Sequence, residues 1–462
     1  MNRRLLATIA VNAAILLAGV GAGLLVSHAR RTGGAPAPDT PADTHVAAHS
    51  EHDAPDTPRI EWDEPDRGAE NYWPLFRGPT GMGIVSGDDW PSEWDGETGE
   101  GIAWEVDLPL QGKNSPVVWG DKIFLTAADT ETQLALCYDR NTGEELWRTE
   151  IPAPRGRDWP IADVQVFPDT GYAAPTSVVD RFALYVMFAT ADVAALDHDG
   201  NLLWSRNLGK PDSAYGFSAS LTRYGQTVIV QYDVGGGSET DSALYGLNRQ
   251  TGSTVWRTPR PVPNSWSSPV VAETSSGPQV LTAADPWVIA YDPSDGREIW
   301  RAAGLSGDVA PSPVYADGIA YFTTDYAYIL AVRVDGEGDV TDTHLVWEAQ
   351  EGMSDASSPV CDGEVFLQIN SGGFMTCYGA KDGELLWYEE FLGPYWSSIT
   401  RVGDLYYLPA ATRDGPTRIF EVEDGFELIA EPTLGQPVHT VPAFVDGKIY
   451  IRGEETLFCI GE

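Results

Sequence analysis

Cysteine, histidine and basic side chains are scarce in this chain of 462 residues: it has 4 Cys, 7 His, and 29 Lys plus Arg against 68 Asp plus Glu. A formal net charge of −39 repels phosphate backbones and anionic headgroups, which excludes nucleic acid as a natural partner. Scarce histidine limits base-assisted nucleophilic catalysis. His28, His45, His49 and His52 precede any globular pattern, which leaves His198 in a predicted turn, His344 in a predicted loop, and His439. No Gly-x-Ser-x-Gly, phosphate loop or His-Glu-x-x-His occurs, so hydrolase and nucleotidase chemistry lack a motif. The cysteines offer no disulfide framework. Cys137, Cys377 and Cys459 stand at one place in three repeats, and Cys361 shares a repeat with Cys377 but sits two strands away, too far for a bond. They are expected as small buried hydrophobes. No Cys precedes Cys137, which excludes a lipid-anchored lipoprotein.

Long apolar runs are absent as well, with one exception. Leu5 to Val26 is interrupted only by Thr8 and Asn12, between Arg3-Arg4 and Arg30-Arg31. Residues 1–31 therefore read as a signal-anchor, a transmembrane helix that leaves the bulk of the chain exported; Ser27-His28-Ala29 keeps cleavage open. Residues 32–70, acidic and rich in Pro and Ala, read as a disordered tether. Within it His45, His49 and His52 stand beside Asp43, Glu51 and Asp53. A helix would bring these histidines together as metal ligands, but no apolar face would hold that helix, and a solvated linker is expected.

What the chain has in quantity is turns and tryptophan: 48 Gly, 33 Pro and 16 Trp. The stretch Asp139-Arg-Asn-Thr-Gly143-Glu-Glu-Leu-Trp147 recurs at Asn248–Trp256, Asp292–Trp300 and Gly379–Trp387. Each predicts a hairpin whose Gly takes positive φ and whose second strand ends in a large aromatic. The Asp-x-Asn-x-Gly look of Asp139–Gly143 resembles a calcium loop, but an apolar strand follows instead of further acidic ligands. Upstream of each hairpin lies a Ser or Thr, often Pro, and two apolar residues: Ser115-Pro-Val-Val, Ser268-Pro-Val-Val, Ser312-Pro-Val-Tyr and Ser358-Pro-Val-Cys. Weaker copies at Thr176, Ser220, Ser398 and Val441 bring the count to eight.

The aromatics of the last strand fall at Trp104, Trp147, Trp204, Trp256, Trp300, Trp347 and Trp387, with Ile429 in the eighth place. Trp104 comes before any first strand, while the last unit stops at Leu457-Phe-Cys-Ile460, after its third strand. A spare fourth strand at one end and a missing one at the other predict ring closure, which removes exposed sheet edges. The expected fold is all-β: one monomeric eight-bladed β-propeller of four-stranded antiparallel blades over 102–461, with 102–107 completing the last blade.

These Asp/Thr-Gly-x-x-hydrophobic-Trp hairpins resemble the pyrroloquinoline-quinone-like (PQQ-like) repeat, in which such Trp dock one blade on the next. The resemblance covers most of the chain. Trp73-Pro-Leu-Phe-Arg-Gly-Pro-Thr-Gly-Met-Gly83 is similar to a segment found ahead of many such propellers, so 71–101 is expected to pack as an extended strip on the propeller surface. The family divides between quinone-dependent alcohol or sugar dehydrogenases and non-enzymatic scaffolds such as the outer-membrane protein assembly propeller. The dehydrogenases sandwich the quinone between a Trp and two adjacent disulfide-bonded Cys, with Ca²⁺ on Glu, Asn and Asp. No adjacent Cys pair and no Cys-x-x-Cys-His occurs here. The reading is therefore a membrane-tethered, exported, non-catalytic scaffold for protein or carbohydrate in the cell envelope or periplasm, without cofactor or metal. The alternative is a PQQ- and calcium-dependent dehydrogenase.

Propellers bind ligands at the mouth of the central channel. Two residues before each recurring Ser or Thr stand Lys113, Ala174, Ser218, Trp266, Ala310, Ala356, Trp396 and, in the eighth copy, His439. Lys113, Trp396 and His439 are expected to converge, with Trp266 across the opening and Tyr172, Tyr215, Phe217, Asp308, Asp355 and Tyr395 as walls.

Overall fold

The computed structural model describes residues 72–87, 89–236, 241–423 and 425–461. The expected signal-anchor and the tether with His45, His49 and His52 lie outside the described residues. Among those described, no helix is long and apolar enough to cross a membrane.

The strands form eight sheets, each with four antiparallel strands. Blade 1 runs Val117–Trp119, Lys122–Ala128, Gln133–Asp139 and Glu145–Glu150, from the innermost strand to the outermost. Blades 2 to 8 begin at Val178–Val179, Thr222–Tyr224, Val270–Thr274, Val314–Ala316, Val360–Cys361, Thr400–Val402 and Ala443–Val445. Blade 8 takes its outer strand from the start of the ring. Ile102–Asp107 runs antiparallel to Thr456–Ile460, with Trp104 opposite Cys459 and Val106 opposite Leu457.

Burial follows position within the blade. Second and third strands are covered on both faces by neighbouring blades, so Ile123 to Ala128 and Gln133 to Tyr138 are buried without alternation. The outermost strand Glu145–Glu150 faces solvent and alternates between exposed and half-buried. Period-two patterning is therefore legible only at the rim. All four cysteines are free and buried.

The hairpin sequence does two jobs. The Asp139 carboxylate accepts the backbone N–H groups of Asn141 and Thr142, both at 2.9 Å, which makes the turn a local side-chain-to-backbone device. Gly252 sits at φ +68°, and a Cβ there would fall 2.5 Å from Cε3 of Trp204 in the preceding blade. The Trp204 indole N–H donates to the Arg249 carbonyl at 2.9 Å. The same docking joins Trp104 to Gly143, Trp147 to Gly200, Trp256 to Gly296 and Trp347 to Gly383. Gly252→Ala is therefore expected to cost about 2 kcal/mol or more, from left-handed backbone strain and from displacing the indole; a urea midpoint equal to wild type would refute this.

Two joints depart from the pattern: Trp387 meets Phe426, with centroids 6.0 Å apart, rather than a glycine, and Trp300 is held differently. Gly338–Asp339 from the blade 5 loop adds a parallel strand beside Trp300 and Arg301 of blade 4. Trp300 is fully buried and donates to the Gln279 side chain at 2.9 Å rather than to a backbone carbonyl.

The lead-in segment does more than lie on the surface. Trp73 exchanges backbone hydrogen bonds with Val118 at 3.0 and 2.8 Å, Pro74 accepts from Val179 at 2.8 Å, and Gly83 accepts from Arg401 at 2.8 Å. Ile84–Val85 then pairs in parallel with Arg401–Val402. The segment thus crosses the far ends of the innermost strands of blades 1, 2 and 7.

Candidate functional site: the channel mouth

The recurring Ser or Thr begins each innermost strand and builds a ring around the axis. The backbone N–H of Ser115 donates to the Thr176 hydroxyl at 2.9 Å, Thr176 to Ser220 at 3.0 Å, Ser220 to Ser268 at 2.9 Å and Ser268 to Ser312 at 3.1 Å. Ser312 donates to Ser358 and Ser358 to Ser398, both at 2.9 Å. Val441 N–H donates to Ser115 at 2.9 Å, but Val441 has no hydroxyl to offer Ser398. The hydroxyls thus satisfy edge N–H groups that the sheet leaves unpaired.

Above this ring opens a cavity of about 370 Å³. It is lined by all eight positions read from the repeat, Lys113, Ala174, Ser218, Trp266, Ala310, Ala356, Trp396 and His439, together with Tyr215, Asp308 and Asp355. Sequence reasoning missed Phe76, Phe167 and Asp169, which also line it. Phe76 belongs to the lead-in segment, which corrects the expectation of surface packing alone. The next residue, Arg77, is fully buried and donates to the carbonyls of Pro359 and Ile399. The only advance signal was the density of aromatics and glycines in that segment.

Three sequence-selected residues lie elsewhere. Phe217 and Tyr395 are buried, Phe217 against Tyr232 at 5.9 Å and Tyr395 against Arg418. Each immediately precedes a mouth residue, Ser218 or Trp396, and adjacent side chains on an extended chain point to opposite sides. Tyr172 lines an adjoining cavity of about 740 Å³ that shares Lys113 and Phe167 with the mouth.

Lys113 Nζ lies 3.4 Å from His439 Nδ1 and 3.5 Å from Glu454. Burial lowers the pKa of Lys113 against the opposing pull of Glu454. Burial and the Lys113 charge push His439 down to about 4, so its imidazole is neutral and a weak base at neutral pH. On the other side, Trp266 donates from Nε1 to the Gly216 carbonyl at 2.9 Å and packs on Tyr215 with centroids 4.8 Å apart. Tyr215 donates to Asp308 at 2.8 Å. Asp355 accepts from the backbone N–H of Ser371 at 2.7 Å and from its hydroxyl.

This lining does not fit the quinone cofactor of the dehydrogenase branch. Its disulfide ring needs adjacent cysteines facing the axis, whereas Cys137, Cys361, Cys377 and Cys459 are buried in the blades and none lines the cavity. Among the described residues no group of three or more His, Cys, Asp or Glu is arranged to hold a metal ion.

Comparisons with known proteins agree with the architecture. Over 228 residues the chain is 26% identical to outer membrane protein assembly factor BamB of Alkalilimnicola ehrlichii, covering 49% of this chain and 52% of that one; the match thus spans about half the length of that curated relative. The crystal structure of BamB from Moraxella catarrhalis superposes with TM-score 0.55 at 16% identity, over 78% of this chain and 97% of that one. The quinohemoprotein alcohol dehydrogenase of Comamonas testosteroni gives 0.61 at 13%, over 87% and 83%. Both likenesses show the fold alone. The family model described as outer membrane protein assembly factor BamB matches residues 84–259 and 240–430, and the chain accordingly belongs to that family of PQQ-like repeat propellers.

Proposed function

We propose that this protein is a non-catalytic binding and assembly scaffold of the cell envelope, which captures a protein or carbohydrate at the channel mouth and is tethered to the inner membrane by its N-terminal segment. The observation that carries this reading is the convergence of Trp266, Trp396, Lys113 and His439 on one cavity with Asp308 and Asp355 in its wall. Large rings supply contact area and a few charges fix orientation. With its pKa pushed down to about 4, His439 is a weak base for activating the hydroxyls that line the cavity. The family match supports an assembly role, and the acidic composition suits solubility outside the cytoplasm.

The double variant Trp266→Ala/Trp396→Ala is expected to weaken capture of envelope polypeptides or glycans about tenfold or more, since central aromatics dominate such interfaces. Equal recovery from envelope extracts by wild type and variant would move the site elsewhere. Titration with PQQ and Ca²⁺ is expected to give neither stoichiometric binding nor dye-linked alcohol oxidation; observing both would overturn the scaffold reading in favour of the dehydrogenase.

A further inference from the structure

We infer that the mouth cavity takes a lysine or arginine side chain of an extended polypeptide against the wall formed by Tyr215, Trp266, Asp308 and Asp355. The inference rests on the mouth being the binding site and names the chemistry of what enters it.

Three carboxylates collect around blade 5. Asp308 and Asp355 lie on the connections before and after it, and Asp325 lies in the hairpin between its second and third strands, Ile319–Phe322 and Ile329–Arg333. None of the three takes part in an ion pair among the described residues. Asp308 and Asp355 have neutral donors in Tyr215 and Ser371, whereas Asp325 Oδ1 is sheltered from solvent and meets no donor. Burial and the charges of Asp355 and Asp308 push Asp325 up to about 6, and Asp325 in turn raises Tyr326. Like charges held together without a counter-ion destabilise the free protein and favour a cation that arrives from outside.

The surroundings select the kind of cation. Tyr215 packs between Phe167, 5.0 Å away, and Trp266, 4.8 Å away, and Tyr326, 66% exposed, lies against Gly307, next to Asp308. Hard metal ions need a shell of oxygens, and no metal-holding group is present among the described residues. An ammonium or guanidinium on an apolar stem matches ring faces and carboxylates together. A neutral sugar would leave the carboxylates of Asp308 and Asp355 in the cavity wall without a counter-ion. The adjoining cavity of about 740 Å³, walled by Leu108, Pro109 and Tyr172, continues past Lys113. It gives an extended chain a path onward, with the Lys113 ammonium placed to donate to a backbone carbonyl.

The test titrates the full chain with labelled hexalysine, hexaglutamate and maltohexaose at moderate salt. Hexalysine is expected to bind, and Asp308→Asn/Asp325→Asn to weaken it about tenfold or more. Glu144→Gln/Glu384→Gln, which removes the same charge from exposed hairpins, should change binding less than about twofold. Asp325→Asn is expected to raise the melting temperature, so lost binding cannot be ascribed to unfolding. Equal losses in the two double variants would overturn the inference in favour of diffuse attraction to an acidic surface. Binding of maltohexaose or hexaglutamate that depends on Trp266 but not on the aspartates would overturn it while leaving the mouth as the site. Hexalysine binding unaffected by Trp266→Ala/Trp396→Ala would overturn both.

Discussion

A chain beginning at Leu108 is expected to lose its single cooperative unfolding transition, while one beginning at Gly101 keeps it with a lowered midpoint. The two differ by the strand Ile102–Asp107, which supplies the whole outer edge of blade 8 through its ladder with Thr456–Ile460. The same strand carries Trp104, whose ring lies on Gly143 of blade 1 and whose Nε1 donates to the Arg140 carbonyl at 3.1 Å. Loss of one docked Trp costs about 3–5 kcal/mol, and an exposed strand edge adds an aggregation route. Together these approach the entire stability of a typical domain, about 5–15 kcal/mol. Both shortened chains lack the lead-in segment that floors the channel, so the comparison isolates closure. Circular dichroism in urea reads the result, and identical midpoints would mean that the ring does not depend on this strand.

Asp233→Ala is expected to cost about 3–5 kcal/mol, the loss typical of breaking a buried ion pair from one side. Asp233 and Arg260 are both fully buried, with Nε 2.7 Å from Oδ1 and Nη2 3.1 Å from Oδ2. Gln231 and Ser265 also donate to the carboxylate at 2.8 and 2.7 Å. The guanidinium reaches into blade 4, donating to Thr282 at 2.6 Å and Tyr291 at 3.1 Å. Burial alone would lower the pKa of Arg260, but Asp233 outweighs it and holds the group above its ordinary value. Without Asp233 a cation remains sealed between blades 3 and 4. The double variant Asp233→Leu/Arg260→Met is expected to recover most of the loss, since apolar groups of similar volume often replace such pairs at little cost. A single variant with wild-type denaturation would show that solvent reaches Arg260 after all.

The blade count, the ring closure and most of the mouth were legible in the residue order. Five of the seven Trp meet a Gly at the equivalent turn of the next repeat, so the docking leaves a periodic trace. Rotational repetition also brings equivalent positions to one place, which is why the convergence of Lys113, Trp266, Trp396 and His439 is legible in the sequence alone. Tyr172, Phe217 and Tyr395 were placed at the mouth by nearness in sequence, a weaker guide. The alternation of side chains turned two of them inward, and the third faces the neighbouring cavity.

Sequence by itself therefore determined what repeats: eight units, their strand order, and the segment that completes the last one. Those features rest on local hairpin chemistry and on contacts between neighbouring repeats, both encoded at constant spacing. Only the tertiary structure decided what the non-repeating parts do. Phe76 and Arg77 fill the channel floor because the lead-in segment crosses three blades far from it in sequence. Asp308 and Asp355 enter one cavity wall, with the charge of Asp325 felt beside them, because two inter-blade connections and a hairpin, of unequal lengths and unrelated sequence, end on the same side of blade 5. No period announces such meetings, since they arise from long-range closure of the ring.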